Sequence, residues 1–205
     1  MKAGLCLAAL LVSTAAFAQS SSPGPYIIDL RGAMSGAPSG VSFYPPVPVD
    51  TLAPKRAFGL AGGAHMYPFQ LGVARLGFGV DFMRVRGSVT SVSNVAASTT
   101  VSTVAPQISF NFGTREGWSY LSGGYGTAQT HVQVDVPAQS AAPPATVGTP
   151  AATLTRGRRT ASINIGGGAR WFLREHVAVG FDVRFHRLQE PSTRIVGLSV
   201  GMSLR

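Results

Sequence analysis

Alternation of apolar residues with small or polar ones is the most persistent pattern in the chain. From Val177 to Phe185 the odd positions are Val177, Val179, Phe181, Val183 and Phe185, with Ala178, Gly180, Asp182 and Arg184 between them. Val196 to Leu204 sets Val196, Leu198, Val200, Met202 and Leu204 against Gly197, Ser199, Gly201 and Ser203. Ala74 to Phe82 sets Ala74, Leu76, Phe78, Val80 and Phe82 against Arg75, Gly77, Gly79 and Asp81. Arg159 to Leu173 sets Ala161, Ile163, Ile165, Trp171 and Leu173 against Thr160, Ser162, Asn164 and Arg170. Successive side chains of a strand point to opposite faces, so each stretch predicts a two-faced strand.

The pattern is looser in Tyr26 to Arg31, Phe58 to Tyr67, Val104 to Phe112 and Trp118 to Val134. In the last of these Trp118, Tyr120, Val132 and Val134 share the apolar face. The reading is all-β with eight strands. After residue 18 no apolar run is long enough for a membrane helix. The connections alternate in length. Short ones fall at Pro68–Leu71, Thr114–Gly117 and Arg174–His176, and longer ones at Gly32–Lys55, Ser88–Thr103 and Asp135–Thr155, with a brief one near Glu190–Thr193. An even number of strands with short turns at one end and longer loops at the other predicts an antiparallel up-and-down transmembrane β-barrel.

Such a barrel turns its apolar face to lipid and its polar face inward. On the apolar face near the short turns lie Tyr26, Phe112, Trp118, Tyr120 and Trp171, expected as a periplasmic aromatic girdle. Near the long loops the same face carries Arg56, Arg84, Arg86, Arg159, Arg187 and Arg194. Arginine costs little at the membrane border. The bland reading is a set of strand ends entering solvent. The sharper one is a rim that pairs with lipopolysaccharide phosphates, because the guanidinium fork matches phosphate geometry. Inward positions collect Asp29, Arg31, Arg75, Asp81, Arg170, Asp182 and Arg184, expected as an Asp/Arg network plugging the lumen.

Composition sharpens this picture. The chain has 205 residues, with 17 Lys and Arg against 8 Asp and Glu and a net charge of +9. Only 12% of residues are charged, about half the usual share in a soluble domain. A 45% hydrophobic content excludes a disordered tail, and a single Cys excludes a disulfide framework. Lys2, the apolar run Leu5 to Val12 and the Ala16-Phe17-Ala18 site predict a signal peptide over residues 1–18, followed by a barrel domain over 19–205. Cys6 lies inside the apolar run, which argues against a lipoprotein, and it would leave with the signal.

Catalytic signals are sparse. His131 and His186 are expected on inward faces near the loop end and His65 inward near the turn end, so no His is expected at the lipid boundary. Neither an H-E-x-x-H motif nor a Cys/His cluster occurs, and no metal or cofactor is expected. Gly62-Gly63 and Gly166-Gly167-Gly168 lie inside strands without a following helix, which makes them close-packing sites rather than phosphate loops. The basic charge rings a membrane rim and forms no compact basic-aromatic patch, so no nucleic acid partner is expected.

Gly59 to Gly87 and Ala161 to Leu188 resemble the outer-membrane-protein β-barrel domain family, small eight-stranded barrels similar in shape to the OmpA transmembrane domain. The most specific part is the Gly166–Phe172 segment with Glu175 and His176 in its turn, followed by inward Asp182 and Arg184. The likeness covers nearly the whole mature chain and leaves no room for an OmpA-type peptidoglycan-binding domain. It implies the outer membrane, periplasmic termini, and delivery by the barrel-assembly machinery. One departure concerns that machinery, which usually reads a terminal aromatic residue, whereas this sequence ends Met202-Ser203-Leu204-Arg205.

The leading expectation is a monomeric outer-membrane barrel with a structural or surface-interaction role and no catalysis. Its rivals are a narrow ion channel and a secreted soluble lipocalin-like binder, in which Phe78, Phe110 and Phe181 would line a ligand cavity.

Overall fold

The computed structural model describes residues 25–38, 54–90, 95–114, 116–138, 150–189 and 192–205. The expected signal peptide and most of the first long loop lie outside the described residues. Eight strands follow in chain order: β1 (Tyr26–Ser35), β2 (Ala57–Leu71), β3 (Ala74–Thr90), β4 (Ala96–Gly113), β5 (Gly117–Val136), β6 (Ala152–Phe172), β7 (Val177–Leu188) and β8 (Thr193–Leu204). Each pairs antiparallel with its neighbours in sequence, and β1 pairs with β8 to close the barrel.

Cross-strand partners lead from Tyr26 through Met66, Phe78, Ile108, Gly123, Ile165, Phe185 and Val196. The circuit returns to the β1 side at Gly36, whose N–H donates to the Val196 carbonyl. One turn around the wall therefore climbs ten residues, from Tyr26 to Gly36. Such a stagger tilts the strands by ~40° and leaves an eight-stranded interior just wide enough for side chains.

The faces follow the membrane arrangement. Ile28, Leu30, Leu60, Phe78, Ile108, Ile165 and Val200 are exposed, while Asp29, Arg31, Asp81, Arg170, Asp182 and Arg184 are buried. Phe78, Phe110 and Phe181 belong to the outward face and line no internal cavity, which removes the lipocalin-like reading. Ile108 faces outward on β4, opposite Phe78 of β3, and is 53% exposed. Replacing it by Arg is expected to destabilise the barrel by about 2–4 kcal/mol in bilayers. Equilibrium urea unfolding in liposomes measures this, and an unchanged midpoint would contradict the lipid-facing assignment.

Several sequence expectations change. The first turn falls at Gly72–Val73, and Pro68 lies within β2 where the register shifts between Met66 and Phe69. Proline has no N–H for the ladder, so a bulge is the natural place for it. The second long connection shrinks to 91–95 and the third to 137–151, because β3 to β6 continue as paired strands well beyond the other four.

The faces of β5 are the reverse of those expected. Trp118, Tyr120, Val132 and Val134 are buried inside, and Leu121, Tyr125 and His131 face out. Above the lipid band a strand face meets water, so apolar side chains turn into the lumen. Val101, Val132, Val134, Leu188 and Ile195 accordingly join Met83 and Val85 in an inner apolar cluster toward the loop end. A second, smaller cluster of Ile27, Tyr67 and Trp118, with Phe172 packed against it, fills the turn end.

Candidate functional site

Between the two apolar clusters lies a charged layer built from β1, β3, β6 and β7. Three aspartates, Asp29, Asp81 and Asp182, face three arginines, Arg31, Arg170 and Arg184, all buried. Arg170 grips Asp29 with two hydrogen bonds, Nε to Oδ1 at 2.9 Å and Nη2 to Oδ2 at 2.6 Å. Ser203 Oγ also donates to Asp29. Arg31 Nη2 donates to Asp81 at 2.7 Å, and its Nη1 lies 3.3 Å from Asp182. Arg184 donates to Asp182 at 3.0 Å and has its Nε 3.8 Å from Asp81. The formal charges cancel within the layer, which is the condition under which buried ions persist.

Neutral groups take up part of the remaining capacity. Arg184 also donates to Gln107, Asn164 and Ser122 at 2.8–3.0 Å. Tyr120 Oη donates to Asp182 at 2.9 Å, and the Arg170 guanidinium sits 3.8 Å above the Tyr120 ring. Gln107, Asn164, Ser122 and Ser203 were not among the expected site residues, and Tyr120 was expected on the outer aromatic girdle instead. Their signal in the sequence is their parity, since each occupies an inward position on its strand. A cavity of about 10 Å³ remains beside Arg31, Asp81, Asp182 and Arg184, room for no more than a water molecule.

Glycines make space for these side chains. Arg31 pairs across the ladder with Gly201, Arg170 with Gly180, Arg184 with Gly166 and Asp182 with Gly168, while Gly63 pairs with both Asp29 and Asp81. A Cβ on Gly201 would lie 2.9 Å from Arg31 Cγ, and one on Gly166 would lie 3.0 Å from Arg184 Cβ.

Arg75 does not join the layer. It sits at the turn end of β3, six residues below Asp81, and its Nε donates to exposed Gln70 at 2.9 Å. His65 and His186 are buried inside, His65 stacked on Tyr67 with ring centroids 6.2 Å apart. His131, expected inside, is exposed on the outer wall because it shares the parity of Leu121 and Tyr125.

On the outer surface at the turn end, Tyr26 and Trp171 are exposed and Phe112 partly so, whereas Trp118 and Tyr120 have turned inward. At the loop end Arg56, Arg84, Arg86, Arg159, Arg187 and Arg194 are all exposed. Arg187 and Arg194 stand directly opposite each other on β7 and β8. Like charges in that position repel. Arg86 stands opposite Phe58 and Arg84 opposite Leu60, and Arg86 Nη2 lies 3.3 Å from Ser98 Oγ.

The family model described as the outer membrane protein beta-barrel domain matches residues 4–203. The chain belongs to this family. No curated protein matches the sequence. Among solved structures, the attachment invasion locus protein Ail of Yersinia pestis is similar with a TM-score of 0.55 and 12% identity, over 89% of this chain and 99% of that one. OprG of Pseudomonas aeruginosa is similar with a TM-score of 0.50 and 11% identity, over 92% and 98% of the two chains. At these identities the likeness is one of fold.

In an outer-membrane barrel the outward features acquire a height. Arg194 and Leu204 are ten residues apart on β8. At ~3.3 Å per residue and a tilt of ~40°, that separation spans about 25 Å, the height of the apolar band of such barrels.

Proposed function

We propose that this protein is a monomeric outer-membrane barrel with a structural or surface-interaction role, closed through its lumen and without catalytic activity. The observation that carries this reading is the order of layers inside the wall. An aromatic cluster at Trp118, the paired Asp/Arg layer and an apolar cluster around Val85 and Ile195 follow one another along the axis. An ion crossing that stack would have to displace paired charges and then pass two dry constrictions. The signal peptide over 1–18 is removed, the barrel-assembly machinery inserts the strands, and the termini face the periplasm. Arg56, Arg84, Arg86, Arg159, Arg187 and Arg194 meet the phosphates of lipopolysaccharide. The tall β3–β6 wall supplies the surface available to an external partner. Its outer face carries Thr100, Gln129, His131 and Asp135, a polar surface suited to water rather than lipid.

Conductance in a planar bilayer tests the closed lumen. Refolded protein is expected to give no discrete openings above baseline. Regular single-channel steps that change size in Asp182→Asn or Arg184→Gln would replace this reading with the narrow-channel one.

A further inference from the structure

Gly32 has no structural reason to be glycine. It lies in the middle of β1 on the outward face, where a Cβ would find nothing nearer than the Val200 carbonyl oxygen at 3.8 Å. Its backbone is not among the positive-φ glycines of the barrel, Gly72 and Gly113. Glycine in a strand interior costs stability and leaves no side chain to pack, and where sterics do not demand it, it marks a close approach by something else.

The surroundings say what approaches. Gly32 is the floor of an outward groove of about 360 Å³ walled by Met34, Phe58, Leu198 and Val200. Two outward rows cross it from β8 to β3: Leu198, Met34, Phe58, Arg86 and, one step lower, Val200, Gly32, Leu60, Arg84. Each row is apolar until it ends on an arginine. On the other flank, Arg194 stands four residues above Leu198 on β8, with Arg187 beside it. The groove thus opens along the lipid face and is bordered by cations on its loop side. We propose that it is a binding site for one phosphorylated glycolipid of the outer leaflet, of the lipid A class. An acyl chain lies over Gly32, and the headgroup phosphates are held by Arg84 and Arg86 on one side and Arg187 and Arg194 on the other. A phosphate between Arg187 and Arg194 also relieves their repulsion. This site rests on the reading of the arginine rim as a lipopolysaccharide contact and gives that contact a location.

The test is native mass spectrometry of the full refolded chain in detergent, titrated with bis-phosphorylated lipid A, dephosphorylated lipid A and phosphatidylglycerol. Wild type is expected to retain one bis-phosphorylated lipid A and to bind the other two at least tenfold more weakly. Gly32→Leu fills the groove without touching the backbone and is expected to weaken retention at least tenfold while keeping its heat-modifiable mobility. Arg84→Gln/Arg86→Gln is expected to lose the preference for the phosphorylated form. Substituting all six rim arginines by Gln separates the two claims. If that variant loses lipid A while Gly32→Leu binds like wild type, the rim contact stands and the groove site is overturned. If the sixfold variant still binds like wild type, the rim reading itself falls. Equal retention of phosphatidylglycerol overturns the choice of lipid A. Binding that depends on Gly32 but not on the arginines overturns the phosphate clamp.

Discussion

Asp29→Leu is expected to destabilise the folded barrel by about 3–5 kcal/mol, the range for breaking a buried ion pair by removing one partner. The side chains of Arg170 and Asp29 are 3% and 1% exposed, so neither has water to fall back on. Without the carboxylate, Arg170 loses both strong hydrogen bonds and is left over the Tyr120 ring with no carboxylate gripping it. Arg170→Leu is expected to cost a similar amount, leaving the Asp29 carboxylate hydrogen-bonded to Ser203 without its charged hydrogen-bond partner. The double variant Asp29→Leu/Arg170→Leu is expected to recover most of the loss, because two apolar side chains bury no charge. Urea unfolding followed by Trp fluorescence and by heat-modifiable gel mobility gives the cycle. Trp118, directly opposite Arg170 in the ladder, reports on the site itself. A double variant as unstable as the sum of the singles would mean that the pair acts through packing and not through its charge.

Gly168→Val is expected to prevent stable closure of the wall. A Cβ there would overlap the Phe181 carbonyl oxygen and stand 3.0 Å from Asp182 Cα. Overpacking a core typically costs about 1–3 kcal/mol, and this collision is with backbone, which cannot move aside as a flexible side chain does. The added branches would also press on the carboxylate that Arg31, Arg184 and Tyr120 share. Gly32→Ala is the matched control, since its nearest neighbour is at 3.8 Å. The fraction refolding to the heat-modifiable form should fall sharply for Gly168→Val and stay at the wild-type level for Gly32→Ala. Equal refolding of the two would show that the inner glycines are not needed for space.

The strand count, the antiparallel meander and the lipid-facing side of most strands were legible in the sequence, because period-two alternation is local. The charged layer was partly legible. Asp29, Arg31, Asp81, Arg170, Asp182 and Arg184 carry inward parity, but which aspartate meets which arginine depends on the stagger of the closed barrel, a global quantity. Arg75 has the same parity, and only its height separates it from the layer. The reversal of β5 has a physical cause. Apolar residues occur on both of its faces, with Leu121 and Tyr125 on one and Trp118, Val132 and Val134 on the other. The rule that apolar means outward holds only within the lipid band. Beyond it the ordinary rule of soluble proteins returns, and a single strand such as β5 obeys both along its length. The long paired end of β4 was read as loop for the same reason: its outer face, with Ser98, Thr100 and Ser102, carries no lipid signal.

The partners of Asp29 have a consequence for the order in which the wall is completed. Arg170 is 141 residues away in sequence and Ser203 is 174 away. Residues so distant meet only after the intervening chain has been ordered, and that entropy must be met before the contact returns anything. Until β6 and β8 arrive, β1 carries an unsatisfied carboxylate that an apolar surrounding penalises. Closure of β1 on β8 is therefore also the step that brings Ser203, and Arg170 across the lumen, onto the carboxylate of the first strand. Insertion of this chain is expected to end in a single cooperative step, with open, partly zipped sheets too costly to accumulate.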